Sequence, residues 1–549
     1  MAAALLLRPF LPVDETRYLA VAWEMWLGGD YLVPHLNGET YSHKPPLLFW
    51  LMNGGWMVFG VNDWWPRLVA PLFGLASLFL TGMLARRLWP GSLEVENLAP
   101  IILFGALFWT LFTTLTMFDM ILTCFALMGM LGIVMAWRDN SKSGFTLLGL
   151  AIGFGILAKG PAILLSTLPV ALLAPFWSKP WSTEKAITTD TPIQPVTWSG
   201  GWKQWYANVG LALLLGVVIG LAWAIPAGIS GGEEYRNAIF WGQSAGRMVD
   251  SFAHGRPWWW FLAVLPGLVL PWTLWPASWR ALKGLFGGDG DGGIRFCLSW
   301  FLPALLVFSL ISGKQLHYLL PVFPALALLL GRLLQKRRSG LSDEDAVKDN
   351  TWHAAGILIP VGFFILLGIA LFTLPMLDLF AKATSLSSGD TAYWGLGLAL
   401  MGAVVLLYSR QTRKDSASNA VFLTTLSTAF VVILHLSARP LFDARFDLKP
   451  ISKQLKVWEE SGIPLAYMGK YHGQFHFAGR LDKPVAVVGL KAPDMADWIR
   501  NNPDGRIVVV AKKVPDGFHP VYSQPYRNRM FMVVEALWAR DNGNILNNL

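Results

Sequence analysis

"LALLLGVVIGLAWAIPAGIS", residues 211–230, contains twenty residues and no charge. A helix needs about 20 apolar residues to cross the hydrocarbon core of a bilayer, so this stretch predicts a membrane span. Comparable runs recur along the chain, at 68–85, 98–118, 120–137, 144–158, 160–177, 207–232, 257–279, 296–313, 318–331, 354–377, 391–409 and 419–438. We therefore expect about twelve spans, or thirteen when the short opening segment "MAAALLLRPFLP" is included.

The composition supports the same class of protein. Of 549 residues, 54% are hydrophobic and only 14% are charged, whereas soluble proteins carry about 25% charged residues. The net charge of +9 does not indicate nucleic-acid binding, because Lys and Arg form short groups between the apolar runs. Cys124 and Cys297 lie inside apolar runs, so the sequence predicts neither a disulfide framework nor a zinc cluster.

The distribution of basic residues also predicts an orientation. With residues 13–66 placed outside the cytoplasm, groups such as "ARRLWP", "GRLLQKRRSG" and "SRQTRKDS" fall in cytoplasmic loops, as the positive-inside rule requires. Residues 45–61, rich in Trp and Gly, are expected to form an interfacial helix. This frame places the first loop and the chain after the last span on the extracytoplasmic side.

The composition changes near residue 440. The segments "GIPLAYMGK", "QFHFAGR", "PVAVVGL" and "GRIVVVAKK" are typical of short strands, and "KPISKQLKVWEE" and "PDMADWIRNN" are typical of helices. We therefore predict a transmembrane domain at 1–438, with a first extracytoplasmic loop at 13–66, and a small α/β domain at 439–549.

Polar residues that topology does not require lie mainly on the predicted outer face. In "LPVDETRY", residues 11–18, Asp14 can cap the helix that follows, but a cap does not explain the adjacent Glu15, Arg17 and Tyr18. A carboxylate at the membrane boundary can orient or deprotonate an acceptor, or hold a metal. Asp119 is either a second carboxylate facing Asp14 or an acid that marks a turn.

Several cations share this face. Lys44 precedes a double proline, and it is either a phosphate ligand or a lysine that snorkels to the interface. Lys159 is a cation on the predicted outer face, contrary to the positive-inside rule. It is followed by Gly160–Pro161, which breaks a helix. Arg256 and Lys314, the latter near Tyr318, are similar outward cations.

Two histidines, His43 and His254, also lie on this face. With Asp14 or Asp119 they can bind a divalent ion, or they can be hydrogen-bonded interface residues. Cations beside carboxylates at the rim of an apolar bundle fit a sugar carried on a polyprenyl phosphate. Such a donor brings its own leaving group, and neither a P-loop nor a Rossmann glycine pattern is present.

The chain resembles a known family in five segments. They are "PVDETRYLAVAWEMWLGGDYLVPHLNGETYSHKPPLLFW", "FDMILT", "GFGILAKGPAILL", "HGRPWWWFLAVLPGLVLPW" and "SGKQLHYLLPVFPALALLLG", which together cover about residues 10–335. They look like the bacterial aminoarabinose lipid A transferases, which belong with the protein O-mannosyltransferase-like glycosyltransferases of the GT-C fold. The resemblance implies a polytopic all-α membrane protein of about thirteen transmembrane helices with a small C-terminal α/β periplasmic domain.

The resemblance also implies roles for the residues in the matching motifs. Asp14 would be the catalytic acid of the first loop, and Asp119 would be the carboxylate of the second. The residues that would hold the donor phosphate are Arg17, Tyr18, Tyr41, Lys44 and Lys159. We add Glu15 and Lys314 to the expected substrate-binding residues, and His254, Arg256 and Tyr318 would line the site. The chain has His43 where the family pattern has Glu, which leaves the identity of the sugar open.

The function expected from these features is sugar transfer, most specifically of 4-amino-4-deoxy-L-arabinose from undecaprenyl phosphate to lipid A or another extracytoplasmic acceptor. The enzyme would be a multi-pass protein of the bacterial inner membrane, in contact with membrane lipids. No cofactor is required by the sequence, although a divalent metal ion fits. The alternatives are a protein O-mannosyltransferase that uses polyprenyl-phosphate mannose and a lipid-linked sugar transporter.

Overall fold

The computed structural model describes residues 2–178, 198–242, 255–286, 291–340, 342, 356–373, 397, 416–489, 493–514, 518–527 and 529–546. In this part of the chain, seven helices are long and apolar enough to cross a membrane. They are Trp64–Leu88, Asp119–Arg138, Lys142–Lys159, Gly201–Ser230, Gly292–Leu310, Leu316–Ser339 and Ser416–Leu436. The predicted class, a polytopic helical membrane protein, is confirmed, and the total of thirteen spans stays a prediction.

The elements that precede residue 179 are mostly helices. Their bounds are α1 Ala2–Leu7, α2 Asp14–Gly28, β1 His35–Leu36, β2 Glu39–Thr40, α3 Leu47–Phe59, α4 Trp64–Leu88, α5 Leu93–Gly105, α6 Leu107–Phe112, α7 Asp119–Arg138, α8 Lys142–Lys159, α9 Ala162–Leu172 and α10 Ala174–Trp177. The two strands form an antiparallel hairpin in the first loop. The loop therefore contains one helix on each side of a short hairpin.

The middle of the chain continues the helical pattern. Its elements are α11 Gly201–Ser230, α12 Gly232–Asn237, a π-helical segment Ala238–Gly242, α13 Trp260–Leu268, α14 Pro276–Leu282, a 3₁₀ turn Lys283–Phe286, α15 Gly292–Leu310, a 3₁₀ segment Leu316–Val322, α16 Phe323–Ser339, α17 Leu358–Thr373 and α18 Ser416–Phe446. The predicted span 391–409, apart from residue 397, and part of 354–377 lie outside the described residues.

Three predicted spans are interrupted rather than continuous. Proline lacks a backbone N–H and cannot continue the ladder of helical hydrogen bonds. Pro266, Pro271 and Pro276 fall inside the predicted span 257–279, which contains only the short helices α13 and α14. The span 98–118 changes direction at Ala106, whose backbone is extended, and 160–177 divides into α9 and α10.

Helices α7 and α8 form an antiparallel hairpin at the centre of the bundle. They approach so closely that a Cβ on Gly132 would lie 2.6 Å from the carbonyl oxygen of Gly144. Only glycine permits this backbone contact. Because the two helices are antiparallel and joined by a short turn, the first residue of α7, Asp119, and the last residue of α8, Lys159, lie at the same end of the hairpin.

The C-terminal part is a mixed α/β unit. Its elements are α19 Lys449–Glu460, β3 Leu465–Met468, α20 His476–Gly479, β4 Ala486–Val488, α21 Pro493–Asn501, β5 Arg506–Ala511, β6 Tyr522–Tyr526, β7 Arg529–Glu535, α22 Ala536–Asp541 and α23 Gly543–Leu546. The sheet order is β4-β3-β5-β7-β6. Strands β4, β3 and β5 are parallel, and β7 and β6 are antiparallel to their neighbours.

The sheet is buried on both faces. Successive side chains of a strand point to opposite faces, so Ile507 and Val509 pack in one apolar core while Val508 packs in another. The first core contains Ile499 of α21, and the second contains Leu455 of α19. The predicted small α/β fold after the last span is therefore confirmed.

One predicted strand is wrong. "QFHFAGR" forms the single helical turn α20, because Gly473 and Arg480 on either side adopt left-handed backbone conformations with φ of 70° and 57°. This turn is buried because it lies between the sheet and α2, and not because it joins the sheet. Strands β6 and β7 were not predicted.

The C-terminal unit packs directly on the first loop. Phe477 stacks on Trp56 with ring centroids 5.2 Å apart, and Trp23 Nε1 donates to the carbonyl oxygen of Leu481 at 2.8 Å. Asp63 forms ion pairs with Lys449 and Arg480 at 2.6 and 2.7 Å. These contacts join residues more than 380 positions apart and hold the unit over α2.

Candidate functional site

Most of the predicted site residues converge at one end of the helical bundle. We define the site cluster as Asp14, Arg17, Tyr18, Tyr41, Lys44, Asp119, Lys159, His317 and Tyr318. Its members come from the first turn of α2, the loop before α3, the α7–α8 hairpin and the 3₁₀ segment before α16. The charged members lie at the ends of apolar helices, where they can meet both membrane and water.

Asp14 is the most exposed acid of the cluster. It is the first residue of α2, and Val13 holds the cap position without a side-chain hydrogen bond, so the interpretation of Asp14 as a helix cap is wrong. Its Oδ1 accepts a hydrogen bond from Arg17, and Tyr18 Oη donates to the same atom at 3.4 Å. The Asp14 side chain keeps 49% of its surface exposed, so it can still contact a substrate.

Asp119 and Lys159 form a buried ion pair. Lys159 Nζ lies 2.5 Å from Asp119 Oδ1, and the Asp119 side chain is 2% exposed. Helix α8 ends at Lys159 because Gly160 has a left-handed backbone. The Lys159 ammonium also lies 5.0 Å from the centroid of the Tyr318 ring. Asp119 therefore orients Lys159, and its role as a second carboxylate that faces Asp14 stays a prediction.

An aromatic group surrounds the second cation of the site cluster. Lys44 Nζ lies 5.8 Å from the centroid of the Phe118 ring. Tyr18 contacts Phe118 edge to face at 4.9 Å, and Tyr41 packs against His43 at 5.3 Å. A cation over an aromatic face is stabilised by the ring quadrupole, which fixes the direction in which Lys44 can reach. Burial and the nearby Asp14 raise the pKa of Tyr18 well above its ordinary value, so its hydroxyl stays a donor.

His317 belongs to the cluster and was not predicted from the sequence. Its ring stacks on Phe112 with centroids 5.3 Å apart and contacts Tyr318 edge to face. It interacts electrostatically with both acids and both lysines of the cluster, namely Asp14, Asp119, Lys44 and Lys159. The available signal was its position beside the predicted Tyr318, in "QLHYLLP".

Glu15 lies apart from the site cluster although it is adjacent to Asp14. Its side chain is 4% exposed and lies 3.4 Å from Arg8 Nη2 and 3.1 Å from Arg67 Nε. It also accepts hydrogen bonds from the Leu11 N–H and Thr116 Oγ1, both at 2.8 Å. Because consecutive residues of a helix point about 100° apart, Glu15 can point into the protein while Asp14 points toward the site cluster. Burial alone would raise the pKa of Glu15, but the two guanidinium groups and these hydrogen bonds lower it.

The ammonium group of Lys314 also forms its hydrogen bonds within the protein. It is 4% exposed, and its Nζ donates to the carbonyl oxygens of Arg256 and Ile311 at 3.0 and 2.5 Å. The Arg256 N–H in turn donates to the Ser312 carbonyl at 3.2 Å. Lys314 therefore holds two loops together, while the side chain of Arg256 is exposed.

The predicted metal ligands are not brought together in the described residues. His43 is exposed and packs on Tyr41, and His254 lies outside the described residues. Within the described part of the chain, no group of three or more His, Cys, Asp or Glu residues has the spacing of a metal site. The divalent ion stays a prediction, and no chemical step is assigned to it.

Comparisons with known proteins can now be set beside this geometry. Residues 43–189 match the family model described as dolichyl-phosphate-mannose-protein mannosyltransferase. Over 333 residues the chain is 31% identical to the undecaprenyl phosphate-alpha-4-amino-4-deoxy-L-arabinose arabinosyl transferase of Pseudomonas paraeruginosa, and this match covers 59% of the chain and 55% of the relative. The enzyme of the same name from Pseudomonas aeruginosa is 31% identical over 339 residues, which cover 60% and 56%.

The solved structures extend the likeness to the whole chain. ArnT from Cupriavidus metallidurans bound to undecaprenyl phosphate superposes with a TM-score of 0.69 at 19% identity, covering 96% of this chain and 95% of that one. The predicted resemblance to the aminoarabinose transferases is confirmed. The chain shares the fold of ArnT, including the apo form, for which the TM-score is 0.70. In sequence, the chain spans about half the length of the curated aminoarabinose transferases that it matches.

Proposed function

We propose that this protein is an integral membrane glycosyltransferase that moves a sugar from undecaprenyl phosphate to a lipid acceptor on the extracytoplasmic face. The observation that carries the proposal is the site cluster, in which Lys44 and Lys159 lie near Asp14 at one end of the apolar helices. The names of the similar enzymes support undecaprenyl phosphate as the carrier and 4-amino-4-deoxy-L-arabinose as the sugar, and we propose lipid A as the acceptor.

The two lysines suit a lipid-linked phosphate. A phosphate at the membrane boundary needs cations whose positions are set before it arrives, because preorganised charges need not rearrange during reaction. Lys159 is held by Asp119 at 2.5 Å, and Lys44 is held against Phe118. In this proposal, both ammonium groups stabilise the negative charge that develops on undecaprenyl phosphate as it leaves.

The transfer exchanges one C–O bond for another. The bond between the sugar C1 and the donor phosphate oxygen breaks, and its electron pair leaves with undecaprenyl phosphate. An acceptor oxygen forms a new bond to C1 from the opposite side, which inverts the configuration. A phosphate acceptor is already ionised, so Asp14 would orient it and stabilise positive charge on the sugar. A hydroxyl acceptor would lose its proton to Asp14.

The test is transfer by the purified full-length protein. Donor and lipid A are supplied in detergent, and modified lipid A is measured by mass spectrometry. We expect Asp14→Asn to abolish transfer while the protein retains its unfolding temperature. Asp541→Asn, which changes an exposed acid of α22, serves as the control and should retain full activity. Wild-type turnover by Asp14→Asn would refute the role of Asp14, and an inactive wild-type protein would refute the proposed substrates.

A second candidate is favoured by the family model that matches residues 43–189, because its description names protein mannosyl transfer. In that case the acceptor would be a Ser or Thr hydroxyl of an exported protein. The same assay separates the two reactions. A peptide acceptor with polyprenyl-phosphate mannose would yield a glycopeptide, and lipid A would remain unmodified.

The orientation of the site is part of the proposal. The basic residues of "ARRLWP" and "GRLLQKRRSG" lie in the last turns of α4 and α16, at the ends of these helices that are far from the site cluster. The positive-inside rule then supports a periplasmic location for the site and for the C-terminal unit. Labelling of a single cysteine placed at Lys470 by a membrane-impermeant reagent in intact spheroplasts tests this orientation.

A further inference from the structure

A group of cations lies at one end of the sheet of the C-terminal unit. The parallel strands β3 and β5 end at one edge, and the turn between β6 and β7 lies at that same edge because Ala511 pairs with Met530. We call this the basic edge, and its cations and histidine are Lys470, His472, Lys512, Lys513, Arg527 and Arg529. The opposite edge carries both signs of charge, because Glu460, Asp504 and Glu535 lie there with Lys483 and Arg506. Asp494 and Asp497 lie beyond β4, in the helix that follows it.

The basic edge meets the membrane part at the start of α2. Arg527 Nη2 donates to the carbonyl oxygen of Pro12 at 2.8 Å, two residues before Asp14. From a separate loop, Gly473 packs so closely on α2 that a Cβ there would lie 2.9 Å from the Cβ of Ala20. The two contacts place the basic edge on either side of the first turns of α2.

Buried polar side chains lie beneath the loop that carries Lys470 and His472. The hydroxyl of Tyr471 is 2.8 Å from His476 Nδ1, and His476 Nε2 lies 3.9 Å from Glu24 Oε1. Glu24 in turn accepts hydrogen bonds from the backbone N–H groups of Asn37 and Gly38 in the β1–β2 hairpin. Gly473 of this loop packs against both Leu36 of the hairpin and Ala20 of α2, so the loop is in close contact with both elements.

The spacing of residues in α2 shows that this loop lies next to the site cluster. Asp14, Arg17, Ala20 and Glu24 recur every three to four residues and therefore share one face of α2. The loop covers this face at Ala20 and Glu24, so Arg17 and Asp14 lie just beyond it. His472, which precedes Gly473, interacts electrostatically with both of them and with Lys470.

The positive charges near His472 favour the binding of an anion. Burial, Arg17 and Lys470 together lower the pKa of His472, and their combined effect exceeds that of Asp14, which raises it. An anion bound among these groups would relieve their repulsion. The lysines of the site cluster are assigned to the donor phosphate, so a second group of cations beside Asp14 suits a second anion.

We infer that the basic edge, through Lys470 and His472, binds a phosphate group of the lipid acceptor and presents it to Asp14. This inference rests on the proposed function and deepens it, because it gives the acceptor class, a phosphate-bearing lipid, and its position. Other residues of the basic edge, namely Lys512, Lys513 and Arg529, add positive potential that attracts a lipid with more than one phosphate.

The experiment measures lipid A binding and transfer with the full-length protein in neutral detergent. The variant carries Lys470→Gln and His472→Gln, and the matched control is Arg540→Gln, an exposed cation of α22 beyond the opposite edge. We expect the double variant to raise Kd and KM for lipid A about tenfold, since hydrogen bonds to charged groups are lost. Its affinity for undecaprenyl phosphate and its kcat should stay within about twofold of wild type.

Three outcomes would overturn the inference. Unchanged lipid A affinity in the double variant would show that these side chains do not bind the acceptor. An equal loss with lipid A and with a dephosphorylated analogue would show that they do not recognise phosphate. A loss that occurs only in vesicles containing anionic lipid, and not in detergent, would make the edge a contact for bilayer headgroups. The binding measurement does not depend on transfer, so an inactive wild-type protein that binds lipid A would refute only the proposed function.

Discussion

Asp14 and Glu15 are neighbours in α2, yet their carboxylates occupy opposite environments. Asp14 keeps 49% of its side chain exposed beside Arg17 and Tyr18, while Glu15 is 4% exposed between Arg8 and Arg67. The first can meet a substrate, and the second closes a buried ion network beneath the site. The two acids should therefore respond to substitution in different ways.

Substitution of Glu15 should mainly reduce stability. Glu15→Ala leaves two buried guanidinium groups without their partner, and breaking a buried ion pair costs about 3–5 kcal/mol. We expect a lower unfolding temperature in detergent, with residual transfer by the fraction that remains folded. Asp14→Asn should show the reverse pattern, full stability without transfer. Equal stability of Glu15→Ala and wild type would contradict the buried network.

The Asp119–Lys159 pair should behave as one unit in donor binding. Either Asp119→Asn or Lys159→Gln should weaken undecaprenyl phosphate binding, because Asp119 sets the position of the lysine. The double variant should be little worse than Lys159→Gln alone, since contacting residues show coupling energies of about 0.5–3 kcal/mol. Donor affinities from a double-mutant cycle test this. Additive losses of binding free energy would show that the two residues act independently.

His317 should contribute to transfer although no motif indicated it. His317→Ala removes a ring that stacks on Phe112 and lies near both lysines. We expect kcat/KM to fall about tenfold or more, a range typical of a positioned polar group. His519→Ala, at an exposed histidine of the C-terminal unit, is the control. Wild-type kinetics in His317→Ala would remove it from the site cluster.

Transfer should survive chelation of divalent ions. In the proposed reaction, Lys44 and Lys159 supply the positive charge that neutralises the donor phosphate, so no bound ion is needed for this purpose. We expect EDTA-treated protein to retain most of its activity. Loss of activity with EDTA and recovery with one divalent ion would instead support the predicted metal site that includes His43.

The buried His476 should make the joint between the C-terminal unit and α2 sensitive to acid. Burial lowers the pKa of His476 to about 4, from an ordinary value of about 6.5. The unfolded chain therefore binds the proton more readily, and this contribution to stability is present above pH ~6.5 and lost as the pH falls toward ~4. The full effect is on the order of 3 kcal/mol.

Thermal unfolding as a function of pH measures this contribution. Burial raises the pKa of Glu24, which acts in the opposite direction on acidification, so the wild-type curve alone does not isolate His476. The difference between wild type and His476→Gln does. We expect the variant to lose less stability between pH ~6.5 and ~4. His519→Gln should follow the wild-type curve.

The sequence alone was sufficient for those site residues that interrupt apolar runs. Asp119 and Lys159 each mark the end of a hydrophobic segment, and Lys44 precedes a double proline. Charge at such a boundary is costly, so it draws attention without any structure. The resemblance added Tyr41 and Tyr318, which have no comparable signal of their own.

Other features depend on contacts that sequence patterns do not contain. Nothing in "DETRY" indicates that the second acid points inward, since that direction is set by Arg67 in a different helix. The segment around His476 has the composition of a strand, but its burial comes from α2, more than 450 residues away. His472 interacts electrostatically with Asp14 only because the C-terminal unit packs on α2.

The glycine contact between α7 and α8 has a consequence for how this protein can vary. Gly132 lies thirteen residues from Asp119, or roughly 20 Å along a helix. A methyl group at Gly132 would force the two helices apart near the turn that joins them, and a displacement at this end of two rigid helices also moves their far ends. The packing at Gly132 therefore affects the relative positions of Asp119 and Lys159, although it lies far from both of them along the hairpin.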